Sequence, residues 1–86
     1  MLLTVPCKKI ISKGGTGVFV PSIRLTGFGT NVESAIQDAS KGVYAWSLAL
    51  QRQGLLKDAI KRAGLKFDDD GTEELHIVLR GCDNKN

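Results

Sequence analysis

Up to about residue 29 the apolar positions of this chain come in short runs broken by glycine and proline; beyond it they recur at intervals of three and four. The first pattern reads as strands. Lys8 to Ser12 carries Ile10 and Ile11 in a β-prone run, Lys13-Gly14-Gly15-Thr16 supplies a tight return, and Gly17-Val18-Phe19-Val20 resumes a strand. Pro21 has no N–H to give a ladder, so it marks an edge, a bulge or the strand end. A third run, Ile23 to Phe28, completes a meander of three short antiparallel strands.

The second pattern reads as helix. Val32, Ile36, Ala39, Val43, Trp46 and Leu50 fall on one face with Ala35 beside them, which predicts a long amphipathic helix from Thr30 to Gln53. Thr30 and Glu33 have the spacing of a capping box, and Gly54 is placed to end the helix in a left-handed conformation. Gly42 interrupts the helix interior at a cost of about 1 kcal/mol, the usual reason being close backbone approach. Leu56, Ala59, Ile60 and Ala63 give a shorter second helix ended by Gly64. Asp68-Asp69-Asp70-Gly71 is a turn, Glu74 to Arg80 alternates as a C-terminal strand, and residues 82–86 form a polar, frayed tail. The expected fold is therefore α+β over a single domain, residues 1–86. A small antiparallel sheet of three N-terminal strands plus a C-terminal strand packs against one long helix and a second short one.

A chain of 86 residues buries only roughly 60 % of its unfolded surface, so self-association as a homodimer is a natural source of added stability. The net charge is +3 and the isoelectric point about 9.1, compatible with an acidic partner or with nucleic acid. Cys7 and Cys82 stand alone near the two ends. They are too few for a zinc site; they are expected reduced in a cytoplasmic protein, or joined if the chain ends lie on adjacent strands. The first residues are too short an apolar stretch for a signal peptide, and no run approaches a membrane span.

Candidate chemistry is sparse. Gly14-Gly15-Thr16-Gly17 lacks the Gly-Lys-Ser/Thr ending of a phosphate loop and leads into a strand. Thr26-Gly27-Phe28-Gly29 precedes a helix, but Val32 stands where the dinucleotide fingerprint needs its third glycine. The acids Asp68, Asp69, Asp70, Glu73 and Glu74 do not follow the alternation of a calcium loop. His76 lies in a strand with no nucleophile at recognisable spacing. No catalytic residue, metal ligand or cofactor site is expected, and the chain is expected not to be an enzyme. Tyr44 lies off the apolar stripe of the long helix, where tyrosine suits a partner surface. Arg24 is a further candidate contact, and Lys57, Lys61 and Arg62 make a basic face on the second helix.

Gly17-Val18-Phe19-Val20-Pro21-Ser22-Ile23 resembles the aromatic strand and proline turn of the HicB-like antitoxin family, and Gly29-Thr30-Asn31-Val32-Glu33-Ser34-Ala35 resembles that family's Gly-Asp-Thr-x-Glu-Glu-Ala. The resemblance covers about residues 8 to 50. Arg24-Leu25-Thr26 replaces the family's Pro-Gly-Cys, and no helix-turn-helix or ribbon-helix-helix segment follows. It implies a partial ribonuclease-H-like fold without nuclease residues, and a role in masking a toxin or another protein by occlusion. A phage- or plasmid-type inhibitor of a host enzyme would use the same means. The alternative from charge alone is a small nucleic-acid-binding protein using Lys8, Lys9, Lys13, Arg24 and the second helix.

Overall fold

The computed structural model describes residues 1–69, 71 and 74–82. It has the expected α+β class, with six strands in two three-stranded sheets: β1 (Leu2–Pro6), β2 (Lys8–Ser12), β3 (Gly15–Val20), β4 (Leu25–Gly29), β5 (Lys66–Asp68) and β6 (His76–Arg80). The helices are α1 (Val32–Arg52) and α2 (Leu56–Ala63). No helix among the described residues is long and apolar enough to cross a membrane.

The meander is present as β2-β3-β4. Its first hairpin closes at Ser12 opposite Gly15 across the two residues Lys13 and Gly14. The third strand starts at Leu25 rather than Ile23, because Pro21–Ile23 coil into a 3-10 turn that ends on Arg24 in a left-handed conformation, φ 54°. The expected single sheet is corrected. The C-terminal strand β6 joins β1, in parallel, and β5 pairs antiparallel with β1 on its other side. Leu3 and Val5 of β1 are fully buried. Cys7 alone separates β1 from β2, so one nearly continuous extended segment serves both sheets. Of the expected frayed tail, residues 82–86, Cys82 is instead buried and bonded to Cys7, and residues 83–86 lie outside the described residues.

Helix α1 is capped one residue later than the sequence predicts. Asn31 Oδ1 accepts from the Ser34 N–H at 2.9 Å, and the Asn31 N–H donates to Ser34 Oγ at 3.3 Å. Asparagine is at least as good an N-cap as threonine, and this register leaves Glu33 in the first turn, where the helix dipole favours a carboxylate. Gly54 and Gly64 follow α1 and α2 with φ 71° each, as expected of left-handed caps.

The buried line of α1 is Ala35, Ala39, Val43 and Ser47, with Ile36, Trp46 and Leu50 half-buried beside it. Ser47 is fully buried, and its hydroxyl has no hydrogen-bond partner among the described residues. The reason for choosing small residues lies in the sheet. A Cβ at Gly27 would sit 2.7 Å from the Ala35 carbonyl oxygen, and one at Gly29 would sit 2.6 Å from the Ala35 nitrogen. Gly42 does the same from the helix side, where a Cβ would lie 2.6 Å from Leu25 Cδ1. Gly42 is thus a packing position, not an open contact on the helix. With Val18, Val20 and the buried residues of β1 and α2, these positions form the core.

Free thiols give way to a disulfide. Cys7 and Cys82 are bonded, with Cα atoms 5.8 Å apart, and both are buried. The β1–β6 pairing brings them together: the Cys7 N–H donates to the Arg80 carbonyl at 2.8 Å, one residue beyond the strand.

Gly27→Ala is expected to lose roughly 2–3 kcal/mol in urea denaturation, because the methyl group must push α1 away from the sheet. Gly14→Ala, with no atom within 4 Å of the new methyl, is expected to change stability by less than about 0.5 kcal/mol. Reducing the disulfide, or replacing both cysteines by serine, should lower stability by about 4–5 kcal/mol. That figure follows from the chain-entropy model for two cysteines 75 positions apart, and the urea midpoint with and without reductant reads it directly.

Candidate binding surfaces

Of the five residues expected to meet a partner, three share α2, Tyr44 is on α1, and Arg24 follows the 3-10 turn. Arg24 is exposed between the 3-10 turn and β4. Tyr44 is 46 % exposed on α1. On α2, Lys57 Nζ lies 3.1 Å from Asp69 Oδ2, and Arg62 Nη2 lies 3.2 Å from Asp58 Oδ2 one turn back. Lys61 is exposed and makes no ion pair among the described residues.

Two open features stand out among the described residues, and Arg62 belongs to the first. A groove of about 400 Å³ runs between the 3-10 turn, the C-terminal half of α1 and α2. Ile23, Trp46 and Leu50 line it and are half-buried; Leu55, 47 % exposed, stands at its side, and Asp58 and Arg62 sit on its rim. The Ser22 hydroxyl, also on this lining, is buried with no hydrogen-bond partner among the described residues. The helix-to-helix connection builds the groove. Gly54 turns the chain after α1, and Leu55, which precedes α2, is left with one side in solvent. Trp46 and Leu50, which the helical period places on the apolar face, are both core and groove wall. The signal that pointed past this was Leu55, an apolar residue in a glycine-ended connection.

The second feature is the outer face of the β2-β3-β4 sheet. Strand register puts Lys8, Phe19 and Thr26 in one row across it, and Ile10, Gly17 and Phe28 in the next. Helix α1 covers the opposite face, where Val18, Val20 and Gly27 lie. Phe28 is 70 % exposed and Ile10 52 %. Because Gly17 has no side chain, Ile10 and Phe28 bound a hollow of about 320 Å³.

The acidic turn is engaged in local bonds. Asp69 Oδ1 accepts from the Gly71 N–H at 3.1 Å, and this bond, followed by the Lys57 ammonium, holds the Asp69 carboxyl below its ordinary 3.8. Asp70 and Glu73 of the same cluster lie outside the described residues. Among the described residues no three His, Cys, Asp or Glu side chains converge as a metal site would need. His76 is exposed on β6, with Nε2 3.7 Å from Glu74 Oε2. Comparison with known protein families, with curated proteins and with solved structures finds no match to this chain.

A carboxyl held below its unfolded value stabilises the fold above that unfolded value and loses its effect as pH falls through the folded one. A carbon-detected NMR titration is therefore expected to place the Asp69 midpoint below 3.8. Lys57→Ala should raise it only part of the way, because the Gly71 N–H remains. A full return to 3.8 would show that the ammonium, not the backbone bond, is the larger cause.

Proposed function

We propose that this chain is a non-enzymatic protein-binding domain that acts by occluding its partner. The observation that carries the reading is the groove between α1, α2 and the 3-10 turn. Its lining of Trp46, Leu50, Ile23 and Leu55 matches the apolar, aromatic centre of a protein-docking site, and Arg62 stands at the edge, where arginine is enriched. The volume suits one or two large apolar side chains of a partner segment. The rim adds one charged pair: Arg62 Nη2 lies 3.2 Å from Asp58 Oδ2, so a docked segment meets both signs at the edge of the groove. The unpaired Ser22 hydroxyl gives that segment a hydrogen-bonding group to satisfy.

The resemblance of residues 17–23 and 29–35 to HicB-like antitoxins supports the same role from the sequence side. Three strands followed by a long helix is the order of parts that the resemblance implies, and β2, β3, β4 and α1 have that order. In that family's terms the partner would be a small toxin, silenced by having its own surface covered. The domain needs no reacting group for such a role, only a fitted surface and a rigid frame behind it.

The test is affinity capture from an extract of the source organism at low salt, comparing the native chain with Leu55→Asp and Arg62→Glu. Both substitutions are at solvent-exposed positions, so circular dichroism should show an unchanged fold. A protein retained by the native chain and reduced about tenfold or more by each substitution, a loss of about 1.4 kcal/mol, is the expected result. Recovery of no protein, or equal recovery by all three chains, overturns the reading.

A further inference from the structure

We propose that the outer face of the β2-β3-β4 sheet binds single-stranded nucleic acid, with Phe28 and Phe19 as stacking platforms and Lys8, Lys13 and Arg24 as phosphate contacts. This surface is separate from the groove described above, and the proposal stands whether or not that groove binds a protein.

Three observations converge on it. First, the face is open and aromatic. Phe28 is 70 % exposed. Phe19 is partly exposed in the adjacent strand, one row away on the same face. Diagonal neighbours in a sheet lie roughly 7–8 Å apart, so each ring has room for a base of its own. The hollow over Gly17, bounded by Ile10 and Phe28, adds an apolar floor beside the more exposed ring.

Second, the strands of this sheet carry cations and no carboxylate. Residues 1–32 contain Lys8, Lys9, Lys13 and Arg24 and no aspartate or glutamate. Lys8 is on the face itself, Lys13 is at the tip of the hairpin, and Arg24 precedes β4. Among the described residues none of the three is in an ion pair. Lys9 points to the other side, in register with Val18 and Gly27. A carboxylate of α1 stands at the edge of this sheet: Asp38 Oδ2 accepts from the Phe28 N–H at 2.9 Å and closes the edge of β4.

Third, the second helix is not part of this surface. It packs on α1 and β5, and Lys57 and Arg62 are already paired with Asp69 and Asp58.

The chemistry separates the occupants. A second copy of this chain on the same face would set Lys8, Lys13 and Arg24 against their own kind. An acidic peptide would satisfy the cations but offer no flat surface to the two phenyl rings. An unpaired strand of bases supplies phosphates and planar faces at once, whereas a duplex keeps its bases stacked inside.

Fluorescence anisotropy with labelled oligo-dT and oligo-U of roughly 15 nucleotides, and with a duplex of equal length, tests this. Single strands are expected to bind about tenfold or more tightly than the duplex. Phe28→Ala should weaken binding by roughly 5- to 150-fold, the range for loss of one base–aromatic stack. Lys8→Gln should reduce the slope of log affinity against log salt by about 0.7. Thr26→Asp, which places a carboxylate on the same face, should weaken binding, and Lys41→Gln on α1 should leave it unchanged. All these side chains are exposed, and circular dichroism checks that each variant is folded. Equal affinity for duplex and single strand with Phe28→Ala neutral would overturn the proposal. So would polyglutamate binding as tightly as the oligonucleotides, or a dimer in sedimentation that Phe28→Ala dissociates while no oligonucleotide binds.

Discussion

The close approach of α1 to the meander governs the rest of this molecule. Three glycines make it possible, two in β4 and one in the helix, each standing where a Cβ would strike backbone or the Leu25 side chain. A helix this near to a sheet buries small residues along its contact line, and Ala35, Ala39, Val43 and Ser47 occupy it. The larger apolar residues of α1 are then displaced to the flanks, where Ile36, Trp46 and Leu50 remain half-buried. The groove follows from that displacement. Trp46 and Leu50 have one side against the core and the other facing the gap that α2 and the 3-10 turn leave open.

The same contact decides which face of the sheet is free. Side chains alternate along a strand, so a helix pressed against Gly27 and Gly29 leaves Phe28 on the far side. Asp38 reinforces this arrangement by reaching from α1 to the Phe28 N–H. The groove and the sheet face thus have one origin, and they differ in character because their surroundings differ. The groove lies among paired charges of both signs on α2, while the sheet face belongs to a segment with cations alone.

Much of the fold is legible in the sequence because it is local. The change of apolar period at Val32 marks α1, Gly54 and Gly64 mark the helix ends, and the glycine pair at Gly14 and Gly15 marks the hairpin. The cap is misread by one residue because Thr30 and Asn31 are both competent N-caps and only the geometry chooses between them. What the sequence conceals is non-local. The parallel pairing of β1 with β6 joins residues more than seventy positions apart, and no period or turn signal in either strand names the other. Ser47 reads as a surface residue, since a buried hydroxyl follows only once the glycines have brought the helix close. For the binding surfaces, the exposure of Arg24, Tyr44, Lys57, Lys61 and Arg62 is legible. The ion pairs that engage Lys57 and Arg62 are not. Phe28 is concealed for another reason: alternation places it opposite Gly27, but only the position of α1 says which of the two sides is open.

The Cys7–Cys82 bond has a topological consequence. With the ends of β1 and β6 joined, residues 7 to 82 are a closed covalent ring. A single cut anywhere within the ring, at the Lys13–Gly14 turn or after Gly54, leaves one molecule rather than two fragments. The pieces on either side of the cut stay tethered at the seam between the two sheets. Continuity of the backbone and integrity of the particle are therefore separable in this protein: a protease must cut twice, or a reductant must act as well, before any part of the ring can leave.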